Sequence, residues 1–379
     1  MTGGQMTDSG SQLSTRQARK AIAMSARLNG GSRSGGVIGR WSMIIALACS
    51  LFLSGCFKEK LMQPPSNTGH GQTQVIEMGP QYTDQFFYSL SSNTVIKHNS
   101  RFDYDLMFDC DDDKFNIWLN TAKFMKVWRS GRFGMDSVSL DDTLSLTPFD
   151  WRYELGAFNS DSNAIGKWWI GGGSPSQTAG EVYLIDRGVD AEGNSLGYAK
   201  LRVNDFLGPN TYSITWSDFV SPTKTMLISK YDLYNYKYVS LSGAGNLIDD
   251  NIIEPPRSDW DLCFTRYTIF FYAPYNIGYQ VTGVLTNPSR TVAYMDSTVL
   301  FDSVGVNNFS ENRYQTRRDA IGYEWKRYSS LSADGTYSMN THYTYYIRTG
   351  NVQLYKLRFF DFSRNGIRGY PSFEYYQMQ

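Results

Sequence analysis

Side chains that could carry acid–base or nucleophilic chemistry are scarce in this sequence. Its 379 residues include three histidines, His70, His98 and His342. One Gly-x-Ser-x-Gly match, residues 193–197, lies in a loop between two predicted strands, whereas a nucleophile elbow needs a strand-to-helix turn. The sequence contains no His-Glu-x-x-His, no P-loop and no Cys-x-x-Cys. We therefore predict that the protein is not an enzyme.

The N-terminal segment carries the signals of export. The apolar run Met43–Leu53 follows two arginines and is too short to span a bilayer, which is typical of a secretory signal peptide. Leu53-Ser54-Gly55-Cys56 resembles the lipobox of bacterial lipoproteins, in which signal cleavage leaves a diacylated N-terminal cysteine. A short membrane anchor is the alternative. We predict a signal peptide over 1–55, with an over-extended start, and a lipid on Cys56.

The segment 56–78 contains Pro64-Pro65 and several glycines and serines without apolar periodicity, so we expect a flexible tether. With Phe57 after the acylated cysteine, we expect outer-membrane localisation. Whether the protein faces the cell surface or the periplasm stays open, because Lys58-Glu59-Lys60 is a poor acidic export signal.

Composition favours strands and gives no sign of a nucleic-acid partner. Aromatic residues make up 15% of the chain, and aromatic side chains are enriched in strands. The formal net charge is zero, and no basic patch of the kind that binds nucleic acid is present. The acidic run Asp109–Asp113 lacks the glycine and glutamate of an EF-hand loop, so we interpret it as a solvated turn.

Two cysteines remain after the signal peptide and the lipid site are set aside. Cys263 corresponds to Met107 in the internal repeat described next, which places Cys110 on the opposite face of a strand. A disulfide between Cys110 and Cys263 would therefore have to join two domains. An exported compartment permits that bond, but we predict two free, buried thiols.

The chain contains an internal repeat. The block that begins Lys-Leu-Arg at Lys200 recurs at Lys356, 156 residues later. A second block, Asp-aromatic-Asp-Leu-x-Phe, recurs with the same spacing from Asp103 to Asp259. A period this long indicates a duplicated domain, because solenoid repeats run at about 20 to 50 residues. We predict two copies, 79–219 and 220–379, that meet along an aromatic seam.

Each copy reads as predominantly antiparallel β. Alternation of Leu201 and Val203 with Arg202 and Asn204 suits a sheet with one wet face. The segment Thr121–Trp128 stays ambiguous between helix and strand, and long helices are not indicated elsewhere. The predicted fold class is all-β, with two similar antiparallel β domains that arose by internal duplication.

The second copy resembles a known family. At Trp260–Tyr267, at Arg348, at Lys356–Phe362 and at Gly369–Tyr376 it is similar to the HmuY-like haem-binding lipoproteins of Bacteroidetes, and the first copy shows the same pattern in weaker form. The resemblance implies an HmuY-like, all-β, surface-exposed outer-membrane lipoprotein that captures haem and delivers it to a TonB-dependent receptor.

The same resemblance implies iron ligands on loops before the closing strands. The family pattern uses two histidines there, or methionine in relatives, but the matching regions 289–311 and 325–332 contain no histidine. The candidate haem ligands are therefore Met295, Tyr328 and His342. Core packing is the alternative for Met295, an ordinary strand aromatic for Tyr328, and a surface position for His342. We interpret the Trp260-Asp261 pair as scaffold.

Two functions remain open. One is haem capture for uptake, favoured by the family resemblance and the aromatic content, with the second copy as the expected site. The other is a non-catalytic accessory or adhesion lipoprotein that binds a protein or a glycan through exposed tyrosines, whose rigid rings combine apolar area with a hydroxyl group.

Overall fold

The computed structural model describes residues 71–378, apart from 155–162, 173–174, 176, 209, 244–245, 249 and 330–335. The predicted signal peptide, Cys56 and most of the predicted tether lie outside the described residues. The described part belongs to one compact unit, Met62–Gln379.

Strands make up most of the described secondary structure, as the aromatic and β-branched content predicts. They are β1 (Gln72–Val75), β2 (Asp84–Ser89), β3 (Thr94–Ser100), β4 (Leu106–Asp109), β5 (Ile117–Leu119), β6 (Lys126–Arg129), β7 (Val182–Asp186), β8 (Tyr198–Val203), β9 (Thr211–Ser217), β10 (Lys224–Ser229), β11 (Tyr236–Ser240), β12 (Asn246–Leu247), β13 (Leu262–Phe271), β14 (Ile277–Thr286), β15 (Val292–Asp296), β16 (Lys326–Ser329), β17 (Thr336–Met339), β18 (Thr344–Arg348), β19 (Leu354–Arg364) and β20 (Ile367–Met378). The α-helices are short: α1 (Asp142–Ser145) and α2 (Asp250–Ile253). For the described residues, the prediction of an all-β fold without long helices is confirmed.

Two antiparallel sheets form a first sandwich. One sheet has the strand order β10-β9-β8-β7-β6 and the other β12-β11-β4-β5. Buried side chains from both sheets meet in one core, among them Leu106, Leu201, Trp216 and Val239. On β8 the predicted alternation is confirmed, because Leu201 and Val203 are buried while their neighbours are partly exposed.

A second sandwich has the matching construction. Its sheets have the orders β1-β20-β19-β18-β15 and β14-β13-β2-β3, and their inner faces share a core that includes Tyr88, Phe264, Leu357 and Phe373. The small sheet β16-β17 stands beside it.

The three strands that precede each repeated Asp-aromatic-Asp block belong to the other repeat's sandwich. β1 pairs with β20, and β2 pairs with β13, so residues 72–100 complete the second sandwich. β10 pairs with β9, and β11 pairs with β4, so residues 224–247 complete the first. The predicted junction, Phe219 to Lys224, lies in the connection between β9 and β10. The boundaries 79–219 and 220–379, and the duplication itself, stay predictions.

The two repeated lysines have equivalent roles. The Nζ atom of Lys200 donates to the carbonyl oxygens of Met135 and Val138, at 2.7 and 3.2 Å. The Nζ atom of Lys356 donates to those of Phe301 and Val304, at 2.8 and 3.1 Å. Each lysine thus fastens a 3-10 turn over the large sheet of its own sandwich.

The outer faces of the two four-stranded sheets meet between the sandwiches. Tyr104 and Tyr238 from the first sandwich and Phe87 from the second line one narrow gap with the buried guanidinium of Arg318. The hydroxyl of Thr268 donates to the carbonyl oxygen of Thr121 at 2.7 Å. This contact is the aromatic seam between the two sandwiches.

Two local predictions can be compared with the structure. The ambiguous segment from Thr121 forms a 3-10 turn at Thr121–Lys123 and then the strand β6. Cys110 and Cys263 are free and buried, as predicted.

Candidate functional site

A long hairpin distinguishes the second sandwich from the first. β13 and β14 have ten residues each, whereas β4 and β5 at the matching positions have four and three. Only Leu262–Phe264 of β13 pairs with β2. Beyond Phe264, β13 and β14 pair with each other alone, so the hairpin projects past the edge of the sandwich and can form one wall of a cavity.

The second wall is the small sheet β16-β17. Between the two hairpins lies a cavity of about 510 Å³, here called the tyrosine cleft. Its lining combines six tyrosines with four cationic side chains and one carboxylate, besides uncharged residues. The tyrosines are Tyr82, Tyr279, Tyr323, Tyr328, Tyr337 and Tyr343, the cations are Arg266, Lys326, Arg327 and Arg368, and the carboxylate is Glu324. The volume lies in the range of small-molecule sites, about 300–1,000 Å³.

Aromatic packing beneath the cleft fixes its floor. The ring of Phe362 lies 5.0 Å from that of Tyr337 and 6.0 Å from that of Tyr82, measured between centroids. Trp325 stacks on Phe359 at 4.2 Å and contacts Phe362 edge-on at 5.5 Å. Since these rings belong to the core of the second sandwich, the tyrosines above them stand on a rigid base.

Lys326 is a buried cation in this wall. Its Nζ atom lies 3.9 Å from the centre of the Trp325 ring and donates to the carbonyl oxygen of Thr282. Burial lowers the pKa of Lys326 to about 7, because removing the ammonium from water disfavours the charged form. An anionic group in the cleft would restore the charge.

Arg266 and Arg368 act on the two tyrosines beside them. Burial raises the pKa of Tyr82, and the neighbouring Tyr337 raises it further, whereas Arg368 and Arg266 oppose the rise. Burial also raises the pKa of Tyr337, together with Tyr279 and Tyr328, and the same two arginines oppose it. Both phenols are therefore neutral, and Arg266 and Arg368 are the cations that would favour a phenolate at either tyrosine.

The structure places the three predicted haem ligands in different surroundings. Tyr328 lies on β16, half exposed, and lines the tyrosine cleft. Met295 lies on β15 and lines a separate cavity of about 420 Å³ with Tyr345. His342 is exposed in the turn before β18, with its ring 4.7 Å from that of Tyr343. As ligands, all three stay predictions, and the structure does not bring them together in one cavity.

Sequence reasoning missed Tyr82, Arg266, Tyr337 and Arg368 as components of a site. Arg266 stands inside the family-like block Trp260–Tyr267 and was interpreted only as part of the pattern, and Arg368 directly precedes the block Gly369–Tyr376. Tyr82 comes from the segment that precedes β2, and nothing in its neighbourhood signals a cleft. It reaches the site because strands β1 to β3 belong to the second sandwich.

Two kinds of feature are absent from the described part of the chain. No group of three or more histidine, cysteine, aspartate or glutamate side chains there is placed to hold a metal ion. Among the same residues, none forms a helix with the length and hydrophobicity needed to cross a membrane.

Comparisons with known proteins relate part of the chain to one family. Residues 232–375 match the HmuY protein family. A candidate lipoprotein of Bacteroides fragilis shares 13% identity over 47% of this chain and 88% of its own, with a TM-score of 0.19. A candidate HmuY-like haem-binding protein of Bacteroides vulgatus shares 12% identity over 47% of this chain and 90% of its own, with the same TM-score. None of the curated proteins matches the chain. Residues 232–375, which contain all of the cleft except Tyr82, are therefore an HmuY family region.

Proposed function

We propose that the protein binds haem in the tyrosine cleft. Haem is a flat apolar macrocycle with two carboxylates, so its site needs aromatic walls and cations at one side. The cleft offers both, with Tyr337 and Tyr82 above the Phe362 floor and Arg266 and Arg368 beside them. This combination within the HmuY family region is the observation that carries the proposal.

The second sandwich is the proposed site because only its hairpin is long enough to wall a cleft. β13 continues for seven residues beyond its last pair with β2, whereas β4 ends at Asp109 after four residues. The weaker family resemblance of the first sandwich agrees with this difference. The first sandwich then supports the second by packing against it along the seam.

The cellular role proposed with it is haem capture for uptake. A diacylated Cys56 would hold the protein at the outer membrane, and the part of the predicted tether that precedes β1 would let it deliver haem to a TonB-dependent receptor; residues 72–78 themselves are not tether, because β1 pairs with β20 and Ile76 and Met78 are buried. Replacement Cys56→Ala tests the anchor: the variant should leave the membrane fraction and incorporate no labelled palmitate. Retained lipid and unchanged membrane partition would contradict this part of the proposal.

Titration with haemin tests binding. We expect a saturable Soret shift with the Met62–Gln379 unit, which holds every described strand. Arg266→Ala and Arg368→Ala should weaken it, because each removes a cation available to the haem carboxylates. Arg132→Ala, an arginine of the first sandwich, is the matched control. Met295→Ala and His342→Ala test the other predicted ligands in the same titration. No saturable shift would reject haem binding.

An accessory or adhesion role is the second candidate, and one observation favours it. The tip of the β13–β14 hairpin exposes Tyr272, Tyr275 and Ile277, at 61%, 75% and 53% of their surface. Aromatic side chains of this kind support contacts with proteins and glycans. If haemin does not bind, pull-down of surface glycans by the wild type but not by Tyr275→Ser would support this role.

A further inference from the structure

The tyrosine cleft contains no conventional histidine or methionine ligand. Among the described residues that line it, the side chains of the types that commonly serve as axial haem ligands are tyrosines. Met295 opens into the neighbouring cavity, and His342 is not part of the lining. A haem seated here would meet phenol oxygens.

The phenol of Tyr337 is in a suitable position to bind haem iron. Tyr337 lies on β17, and its ring packs 5.3 Å from that of Tyr328 and 5.0 Å from that of Phe362. Its side chain is half-buried, and Lys326 lies 5.8 Å from its ring. Tyr328, by contrast, is 51% exposed at the rim. Tyr337 is thus held on two sides while its cleft-facing part stays open.

Three strands each contribute one cation to the cleft that Tyr337 lines. Arg266 comes from β13, Lys326 from β16 and Arg368 from β20, and all three line the same cleft. Arg266 and Arg368 both lower the pKa of Tyr337, against burial and against Tyr279 and Tyr328. An arginine beside a ligating phenolate stabilises its negative charge.

We propose that Tyr337 binds the ferric iron of haem through its phenolate oxygen, with Arg266 and Arg368 stabilising that charge; the inference rests on the proposed function. On binding, the phenol O–H bond breaks, an oxygen–iron bond forms and the proton leaves to solvent. No electron is transferred. The other cleft tyrosines act as walls.

A phenolate ligand makes binding depend on the oxidation state of the metal. An anionic oxygen is a hard ligand, which suits Fe(III) better than Fe(II). The protein should therefore hold ferric haem and release it on reduction. A histidine or methionine site would tolerate or favour the reduced form.

Haemin titrations of the full chain and of Tyr337→Phe test the assignment. The substitution removes one hydroxyl and keeps the ring, and an unchanged melting temperature verifies the fold. We expect haemin to bind about 100-fold more weakly, which is the upper end of the loss caused by removing a side chain that hydrogen-bonds to a metal ligand. We also expect the phenolate-to-iron charge-transfer band to disappear. Tyr82→Phe and Tyr328→Phe, matched deletions of a hydroxyl in the same cleft, should keep that band. Tyr231→Phe, at an exposed tyrosine of the first sandwich that does not line the cleft, should bind as the wild type does.

Metalloporphyrins of fixed charge give an independent readout. Gallium(III) protoporphyrin should bind the wild type much more tightly than Tyr337→Phe, whereas zinc(II) protoporphyrin should bind both equally. Failure of haemin to bind the wild type would reject the proposed function. Equal haemin affinity and spectra for the wild type and Tyr337→Phe would leave haem binding in place and overturn the ligand assignment. Loss of the band on Tyr82→Phe or Tyr328→Phe alone would overturn it too.

Discussion

Asp105 and Asp261 make the same bonds in the two sandwiches. The amide of Asp105 donates to the carbonyl oxygen of Val239, and its Oδ2 atom accepts from the amide of Leu241. The amide of Asp261 donates to the carbonyl oxygen of Tyr88, and its Oδ2 atom accepts from the amide of Leu90. Each aspartate therefore joins its own repeat to a strand contributed by the other, which agrees with the interpretation of the Trp260-Asp261 pair as scaffold.

Replacing either aspartate should destabilise the protein. Asp261→Ala leaves Arg290, which lies 3.1 Å from its Oδ1 atom, and the buried amide of Leu90 without their partner. Breaking a buried ion pair costs about 3–5 kcal/mol of unfolding free energy. Asp105→Ala should cost at least as much, because both Lys123 and Arg187 pair with it. Urea unfolding measures both.

Asp302→Ala is the control for this pair, since that carboxylate is 76% exposed and 3.8 Å from its cation. Its unfolding free energy should stay within about 0.5 kcal/mol of the wild type. An Asp261→Ala variant as stable as Asp302→Ala would contradict the assigned role.

The exchange of strands predicts how fragments behave. Residues 101–253 contain β4 to β12, which complete both sheets of the first sandwich. We expect this fragment to unfold cooperatively. Residues 254–379 lack β1, β2 and β3 and should not fold alone, but a peptide covering 71–100 should restore them to order. Circular dichroism and thermal melts report both results. Cooperative folding of 254–379 without the peptide would contradict the pairing.

Lys326 should make stability depend on pH. Its pKa is about 7 in the folded protein, against 10.5 as the ordinary value, because of burial. Between these values the unfolded chain binds more protons, so stability should increase as pH rises from about 7 towards 10.5. Below pH 7 the cost of the buried charge is present in full. Lys326→Met should remove this increase, which thermal melts at pH 6.5 and 9.5 would detect; an unchanged pH profile would disprove it.

Lys356 should stabilise its turn more than Lys200 does. Lys356→Met removes the donor to the carbonyl of buried Val304, at a cost of about 1–3 kcal/mol, whereas the carbonyl of Phe301 still accepts from the amide of Val304. Lys200→Met should cost less, because Lys200 is partly exposed and the turn Met135–Ser137 has no buried residue, so water can replace the ammonium there. Equal losses in the two variants, measured by urea unfolding, would contradict this ranking.

Local patterns in the sequence account for the strands and for the scaffold. The closing strands around Lys200 and Lys356 were predicted from repetition and alternation, and buried free thiols at Cys110 and Cys263 from their repeat register. These predictions depend on periodicity and spacing along a continuous stretch, which the sequence contains directly.

The exchange of strands and the tyrosine cleft could not be predicted in this way. The sequence does not say whether β1 to β3 pair with strands of their own repeat or of the other repeat, because the same blocks of residues occur in both repeats. The cleft combines Tyr82 with Arg266, Tyr337 and Arg368, and its existence depends on which sandwich Tyr82 joins. The pairing of strands that are far apart in the sequence decides which sandwich Tyr82 joins, and the periodicity of the sequence does not show this pairing.

The pairing of β1 with β20 sets the order in which the protein can be completed during synthesis. Gln72 pairs with Tyr375, 303 residues later. At about 5–20 residues per second, β1 would wait on the order of 15 to 60 s for its partner. All strands of the first sandwich are available once residue 247 has been made, so this half can close early. β2 can pair with β3 at once, but its other edge stays open until residues 262–264 of β13 have been made, and an open strand edge is prone to aggregate. The second sandwich is therefore completed last, when the final strand, Ile367–Met378, has emerged.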